Sequence, residues 1–299
     1  MTATSARPRA LAFLALTKPR IIELLLVTTV PTMMVAHGGW PSTWLVIATV
    51  AGGTLAAGGA NAFNMYLDRD IDALMKRTEG RPLVTGEVTP SEALVFASLL
   101  EAAAFAWLWM LVNPLSAWLA LAATAFYVGV YTIWLKRTST QNIVIGGAAG
   151  AVPALIGWSS VTNEVGWAAV VLFAVIFFWT PPHFWARAIK YEDDYSAASV
   201  PMMPVVEGHW KTARQILAYS VVVWALTVAL WFIAPVGWLY LATAMILGPA
   251  FTGGALVLML DASPEVQARR AMKYFSFSIT HLTVLFLSLA VDQLVGWGL

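Results

Sequence analysis

The stretch 43-TWLVIATVAGGTLAAGGANAFNMYLDRDIDALMKR-77 decides the fold. Its first half is uncharged for about 20 residues, enough for a helix to cross a hydrocarbon core of about 30 Å. Its second half turns abruptly polar: Asn64-x-x-x-Asp68-x-x-x-Asp72, then Lys76 and Arg77, with Arg81 just beyond. A charged cluster at the end of an apolar helix, in a chain that otherwise avoids charge, points to chemistry at a membrane boundary. On a helix, steps of four put Asn64, Asp68 and Asp72 near one face with about 6 Å of rise between successive members. Two carboxylates and an amide oxygen suit Mg²⁺ with positions left for phosphate oxygens, and the Lys/Arg group can neutralise the remaining phosphate charge. The plain alternative is a solvated acidic loop. Asp70 points the other way and would serve solubility alone.

Outward from this stretch, composition agrees. Of the 299 residues 60% are hydrophobic and only 11% charged, with a mean hydropathy of +0.74, too apolar for a soluble domain. Runs near 20–38, 43–64, 92–112, 115–134, 141–161, 165–186, 216–234, 238–260 and 274–295 predict an all-α, polytopic membrane protein. Its nine transmembrane helices would form a bundle around a central cavity with a cytoplasmic polar cap, one domain over residues 1–299. No alternating ten-residue pattern supports a barrel. Trp40, Trp118, Trp134, Trp158, Trp167 and Trp238 lie near the expected helix ends, as interfacial aromatics would.

On this count all 17 Lys and Arg fall on one side, in the arm 1–19, at Arg20 where the first run begins, and in the loops after the second, fourth, sixth and eighth runs. The positive-inside rule then predicts a multi-pass protein of the cell (inner or plasma) membrane, N-terminus cytoplasmic and C-terminus external. Arg7 and Arg9 before an apolar run imitate a signal peptide, but Lys18, Arg20 and Glu23 interrupt its start, so an uncleaved first helix is expected. There is no cysteine, which excludes thiolate ligands, iron–sulfur clusters and disulfides. A net charge of +1 calls for no nucleic-acid partner. Glu101, midway along the third run, should face the bundle interior, because a carboxylate in lipid is costly.

The second informative stretch is Thr180-Pro181-Pro182-His183, from which Arg187, Lys190 or Tyr191, and Asp194 recur at helical spacing. The prolines should break or tilt the sixth helix. A lone His at a membrane interface is usually structural; its place beside Arg187 and Asp194 makes it a candidate contact. Lys136, Arg137 and Asn142 bracket the loop after the fourth run, where basic residues need no function beyond topology. The loops after the second and sixth runs are both acidic, which reads as a duplication of helices 1–4 and 5–8 with the two patches facing across a cavity.

These motifs resemble those of the UbiA-type intramembrane prenyltransferases over the whole chain. The residues carrying the resemblance are Asn61-x-x-Asn64-x-x-x-Asp68-x-x-x-Asp72, Met75-x-Arg77-Thr78, Arg81-Pro82-Leu83 and Leu135-Lys136-Arg137 with Asn142. Thr180-Pro181-Pro182-His183-Phe184-Trp185 and Asp193-Asp194-Tyr195, followed by Val200-Pro201-Met202-x-Pro204, resemble the branch that farnesylates heme. The resemblance implies farnesyl diphosphate and heme B (protoheme IX) as substrates, transfer to a heme vinyl group with water addition to give heme O, and Mg²⁺ as cofactor. It further implies surrounding membrane lipid and handover of product to heme A synthase or terminal oxidase assembly. Catalytic roles fall on Asn64, Asp68, Asp72, Lys136, Arg137, Lys190, Asp193 and Asp194, with metal held by Asn64, Asp68, Asp72 and Asp194. Arg20, Lys76, Arg77, Arg81, Lys136, Arg137 and Lys190 would bind diphosphate. His183 would touch heme as iron ligand or through a propionate, and Arg187 would pair with a propionate. The chain departs from the family at its second acidic motif, where Lys190-x-x-x-Asp194 stands for Asp-x-x-x-Asp, which leaves one or two metals open, with Lys190 a candidate to supply positive charge in place of the second. The rival readings are a prenyltransferase for a quinone or chlorophyll precursor, separated by heme binding, and a transporter, which would place ionisable groups on broken helices at the bilayer midplane.

Overall fold

The structure, a computed structural model, describes residues 8–296, excepting the side chains of 20–26. Arg20 therefore lies outside the described side chains, as residues 1–7 of the arm lie outside the described chain. A short α1 (Arg9–Leu16) leads into α2 (Pro19–His37), α3 (Thr43–Leu67), the single turn α4 (Arg69–Asp72) and α5 (Pro90–Leu111). Next, α6 (Pro114–Ala125) runs into a π-helical segment (Phe126–Leu135) and the turn α7 (Lys136–Thr138). Then come α8 (Asn142–Thr162), α9 (Trp167–Lys190), the short α10 (Glu192–Ala197), α11 (Met203–Ile233), α12 (Trp238–Leu258) and α13 (Pro264–Val295). Among the described residues there is no strand, and eight helices are long and apolar enough to cross a membrane. Pro19–His37, of 19 residues, is the remaining helix at an expected run.

Local chemistry sets the helix ends. Thr89 and Glu92 form a capping box at the start of α5, with Pro90 in the first turn. At the start of α12 the Gly237 and Tyr240 amides, which have no partner inside the helix, donate to one Asp292 oxygen at 3.0 and 2.8 Å. The buried Asp292 thus ties the end of α13 to the start of α12. Pro181 and Pro182 do not break the sixth span: α9 is continuous from Trp167 to Lys190. Against the expected 216–234, α11 begins at Met203, its kink falling at Gly208 (φ 77°), where glycine alone is unstrained.

The spans close on themselves. α3 packs on α5, α8 on α9, α9 on α11, and α11, α12 and α13 follow in turn, while α2 touches both α8 and α13. Close approach is achieved with small residues: a Cβ on Gly59 would lie 2.6 Å from a carboxylate oxygen of Glu101, which accepts from Thr124 at 3.1 Å. Glu101 therefore faces the bundle, as expected. Outward faces are apolar, with Met110 72%, Phe232 75% and Ile246 70% exposed. Such surface belongs against lipid. Trp40, Trp118, Trp134, Trp167 and Trp238 are exposed near helix ends. The protein is a multi-pass membrane protein.

Candidate active site

Asn64, Asp68 and Asp72 lie where α3 gives way to α4, and all three are buried. The backbone keeps helical bonding across the junction: Asp68 N–H donates to Asn64 O at 2.9 Å and Asp72 N–H to Asp68 O at 2.8 Å. The expected shared face is therefore present for the first pair, whose side chains meet, Asn64 Nδ2 donating to Asp68 Oδ2 at 2.8 Å. Cations converge on this group from three other segments. Lys136 pairs with Asp68 from the end of the π segment, Arg81 with Asp72 at 2.5 Å from the following loop, and Lys18 donates to Asn64 Oδ1 at 2.6 Å.

Lys18 is the residue that sequence reading passed over. It occupies a left-handed conformation (φ 52°), strained for a non-glycine residue, at the turn from α1 into α2. Burial and the nearby Arg81 guanidinium pull its ammonium down to about 7, with Lys136 adding to the repulsion and Asp68 and Asp72 opposing it. That list of neighbours shows five ionisable groups packed together.

The π segment explains how Lys136 arrives. Its wider turn brings Lys136 near the line of Tyr127 and Tyr131, where an α-helical period would keep the two tyrosines together and turn Lys136 to the opposite side. The two tyrosine rings stack at 5.4 Å, Thr132 donates to Tyr127 O at 2.9 Å, and Asn64 Nδ2 reaches Thr132 Oγ1 at 3.1 Å. Gly146 of α8 leaves the room: a Cβ there would sit 2.3 Å from the Tyr131 ring.

Arg137 and Asp70 meet at the edge of this group. They form a two-pronged pair at 2.7 Å on the exposed side, and Arg137 also donates to Leu67 O at 3.0 Å, fastening the end of the fourth span to the end of α3. Arg137 holds the Asp70 carboxyl down to about 2. Arg137 stands 4.0 Å from Asp68, so its guanidinium is shared between clasp and cluster. Lys76 is exposed, and Arg77 donates to Tyr195 at 3.0 Å with its guanidinium over the Tyr191 and Tyr195 rings. The loops after the second and sixth runs thus meet through Arg77 and the two tyrosines. Asp193 is exposed and Asp194 half-buried on α10, and Lys190 is exposed at the end of α9.

His183 is buried between two rings, Trp179 and Phe275, each 4.4 Å from it, and its Nδ1 faces Ser278 Oγ at 2.7 Å. Both ring faces and one nitrogen are committed, so any ligand must meet the Nε2 edge. Arg187, one turn on, lies over Phe275 at 5.5 Å and Tyr191 at 5.7 Å. Phe275, Arg187, Tyr191, Arg77 and Tyr195 form a contiguous wall from His183 to the loop that follows Asp72.

The donor set fits a hard cation. It offers carboxylate and amide oxygens only, and one buried oxygen, Asp68 Oδ1, has no hydrogen-bond partner. Among the described residues no three His, Cys, Asp or Glu side chains are gathered as ligands.

The model of the UbiA prenyltransferase family matches residues 25–278. A protoheme IX farnesyltransferase of Pseudarthrobacter chlorophenolicus is 54% identical over 96% of this chain and 91% of its own length, and one of Streptomyces coelicolor is 52% identical over 95% and 91%. Among solved structures, a digeranylgeranylglyceryl phosphate synthase matches at a TM-score of 0.77 with 16% identity, covering 96% of this chain and 99% of its own. A UbiA homolog from Archaeoglobus fulgidus bound to GPP and Mg²⁺ matches at 0.64 with 18% identity, covering 92% and 99%. At such identity these structures bear on the fold alone. With a buried oxygen cluster ringed by cations at a membrane boundary and a family match across most of its length, this chain belongs to the UbiA prenyltransferase family.

Proposed function

We propose that this protein transfers the farnesyl group of farnesyl diphosphate to a vinyl group of protoheme IX, with addition of water, giving heme O and diphosphate. The observation that carries the chemistry is the burial of Asn64, Asp68 and Asp72 among Lys18, Arg81 and Lys136. The acceptor is inferred from relatives at 50–54% identity that are named protoheme IX farnesyltransferases.

Asn64, Asp68 and Asp72 would hold Mg²⁺, with Asp194, aided by Asp193, as a further carboxylate from α10. When bound, the ion supplies charge neutralisation and Lewis acidity at the diphosphate oxygens. This chain's cations do the rest of the binding. Lys136, Arg81 and Lys18 are already gathered, and a diphosphate offers each a stronger partner than the side chain it now holds, with Arg77 and the exposed Lys76 as further candidates from the loop after Asp72. The allylic C–O bond breaks with its electron pair going to diphosphate, and the farnesyl cation left behind is placed against the stacked Tyr127 and Tyr131 rings, whose π faces favour positive charge. The vinyl group forms the new C–C bond, water adds at the carbon next to the porphyrin, and its proton is lost. His183 meets heme by its Nε2 edge, and Arg187 pairs with a propionate.

The single-sided placement of Lys and Arg supports a cytoplasmic N-terminus, an external C-terminus and residence in the cell membrane. An apolar product held in the bilayer favours handover there, to heme A synthase or terminal oxidase assembly. The test is acceptor competition: purified protein, Mg²⁺ and labelled farnesyl diphosphate are given equimolar heme B and 4-hydroxybenzoate. Label recovered in heme supports the reading, and label recovered in the benzoate overturns it.

A further inference from the structure

A second gathering of cations lies apart from the Asp68 cluster, in a groove of about 890 Å³ between the end of α9 and the first turns of α13. Lys190 reaches it from α9; Arg269, Met272, Lys273 and Ser276 line it from α13, with Glu265 at the rim. The α13 residues recur at steps of three and four, so they share one helix face. Three cations thus face one carboxylate. None of the three has an ion-pair partner within 4.0 Å among the described residues, whereas Lys136, Arg81 and Arg137 all have one. Positive-inside topology accounts for the sign of these residues. It does not account for two distant segments bringing them into one groove with a half-buried methionine on its wall.

The groove also has a direction. Phe275, next to Ser276, stacks on His183, and Arg187, one turn before Lys190, covers Phe275 and Tyr191. From the rim inward, the surroundings change from ammonium and guanidinium groups to aromatic rings and then to the tyrosines beside Arg77. That sequence of environments matches a flat apolar ring system carrying carboxylates on one edge and reacting at the other.

We propose that this groove seats the two propionate carboxylates of the porphyrin acceptor, and that Arg269 and Lys273 are acceptor-binding residues. The inference rests on heme being the acceptor. It moves Lys190 from the diphosphate, where the sequence pattern put it, to the acceptor, and it turns Arg187 from a propionate partner into part of the wall against which the ring lies. Propionates held here leave the opposite, vinyl-bearing edge of the porphyrin directed along the aromatic wall toward Tyr131 and Asp68. An anionic lipid headgroup would satisfy the same cations but would make no use of the ring wall behind them.

The test uses the full-length protein in detergent and the double variant Arg269→Gln/Lys273→Gln. Heme B affinity is followed by the Soret band, and farnesyl diphosphate affinity is measured separately. The heme dimethyl ester, which keeps the ring but loses both charges, is titrated in parallel. Expected is a loss of about tenfold or more in heme B affinity, about 1.4 kcal/mol, with farnesyl diphosphate affinity unchanged and the ester binding both proteins equally. Wild-type heme B affinity in the double variant overturns the proposal, as does an equal loss for the ester. A loss of bound anionic phospholipid by native mass spectrometry, with heme binding intact, also overturns it in favour of a lipid site. Should the wild type neither bind nor farnesylate heme, the proposed function itself fails; should it do both while the variant matches it, only the groove assignment fails.

Discussion

Replacing Asp68 by Asn keeps the shape of the side chain and removes its charge, leaving Lys136 to face the cluster alone. In the native protein Asp68 is fully buried and the Lys136 side chain is 12% exposed. Breaking such a pair from one side costs about 3–5 kcal/mol, because the surviving charge stays desolvated. Three cations would then stand against Asp72 alone, which places the cost toward the upper half of that range. At about 2 °C per kcal/mol for a chain of this size, the melting temperature in detergent should fall by about 8–10 °C. The double variant Asp68→Asn/Lys136→Met removes both charges and should recover most of that fall, while prenyl transfer stays abolished in all three variants. By contrast Asp70→Asn breaks a pair that is 36% and 60% exposed, and should cost less than about 1 kcal/mol. The assay is a melting cycle over the two single variants and the double, beside turnover measurements. A coupling between Asp68 and Lys136 below about 0.5 kcal/mol, or an Asp70 variant as damaged as the Asp68 one, would refute the claim that the charge pairing is buried and specific.

Gly146→Ala forces a methyl into the Tyr131 ring and should cost about 1–3 kcal/mol and lower turnover together with farnesyl diphosphate affinity; normal turnover would show that the tyrosine stack is not needed. Asp292→Ala leaves the first amides of α12 without their acceptor and should cost about 1–2 kcal/mol with turnover per folded molecule unchanged, checked by melting and active-fraction measurements. His183→Ala should weaken heme binding and leave farnesyl diphosphate binding alone; unchanged heme affinity would make His183 a packing residue. Reporter fusions after Gly86 and Arg137 should read cytoplasmic and one after Asn163 external, and a cytoplasmic signal at Asn163 would contradict the topology.

Much of the fold was legible because lipid leaves the chain few options. Long apolar runs must be helices, and the expected starts at 92 and 115 fall within two residues of Pro90 and Pro114, whereas the last helix begins at Pro264, well ahead of the expected 274, because its first turns are polar. The step-of-four spacing of Asn64, Asp68 and Asp72 was legible for the same reason, since helical bonding runs on through the α3–α4 junction. What the sequence hid depends on unusual backbone or on distance along the chain. Lys18 joins the cluster through a left-handed turn, which nothing in Thr17-Lys18-Pro19 announces beyond the proline. Lys136 aligns with Tyr127 and Tyr131 only under π-helical winding, so a period of 3.6 shows the tyrosine pair and hides the lysine. The charge of Arg137 is visible in sequence, whereas its pairing with Asp70 is a tertiary fact. Lys190 was read with the acidic loop it precedes, although its groove is completed by Arg269 and Lys273 from the last helix.

The measurement closest to the central claim is the mass of the porphyrin product. Purified protein with heme B, farnesyl diphosphate and Mg²⁺ should convert heme B to a species heavier by one farnesyl group and one hydroxyl, and Asp68→Asn protein under the same conditions should leave heme B as supplied. Heme B recovered unchanged from wild-type protein that still binds farnesyl diphosphate would contradict the account.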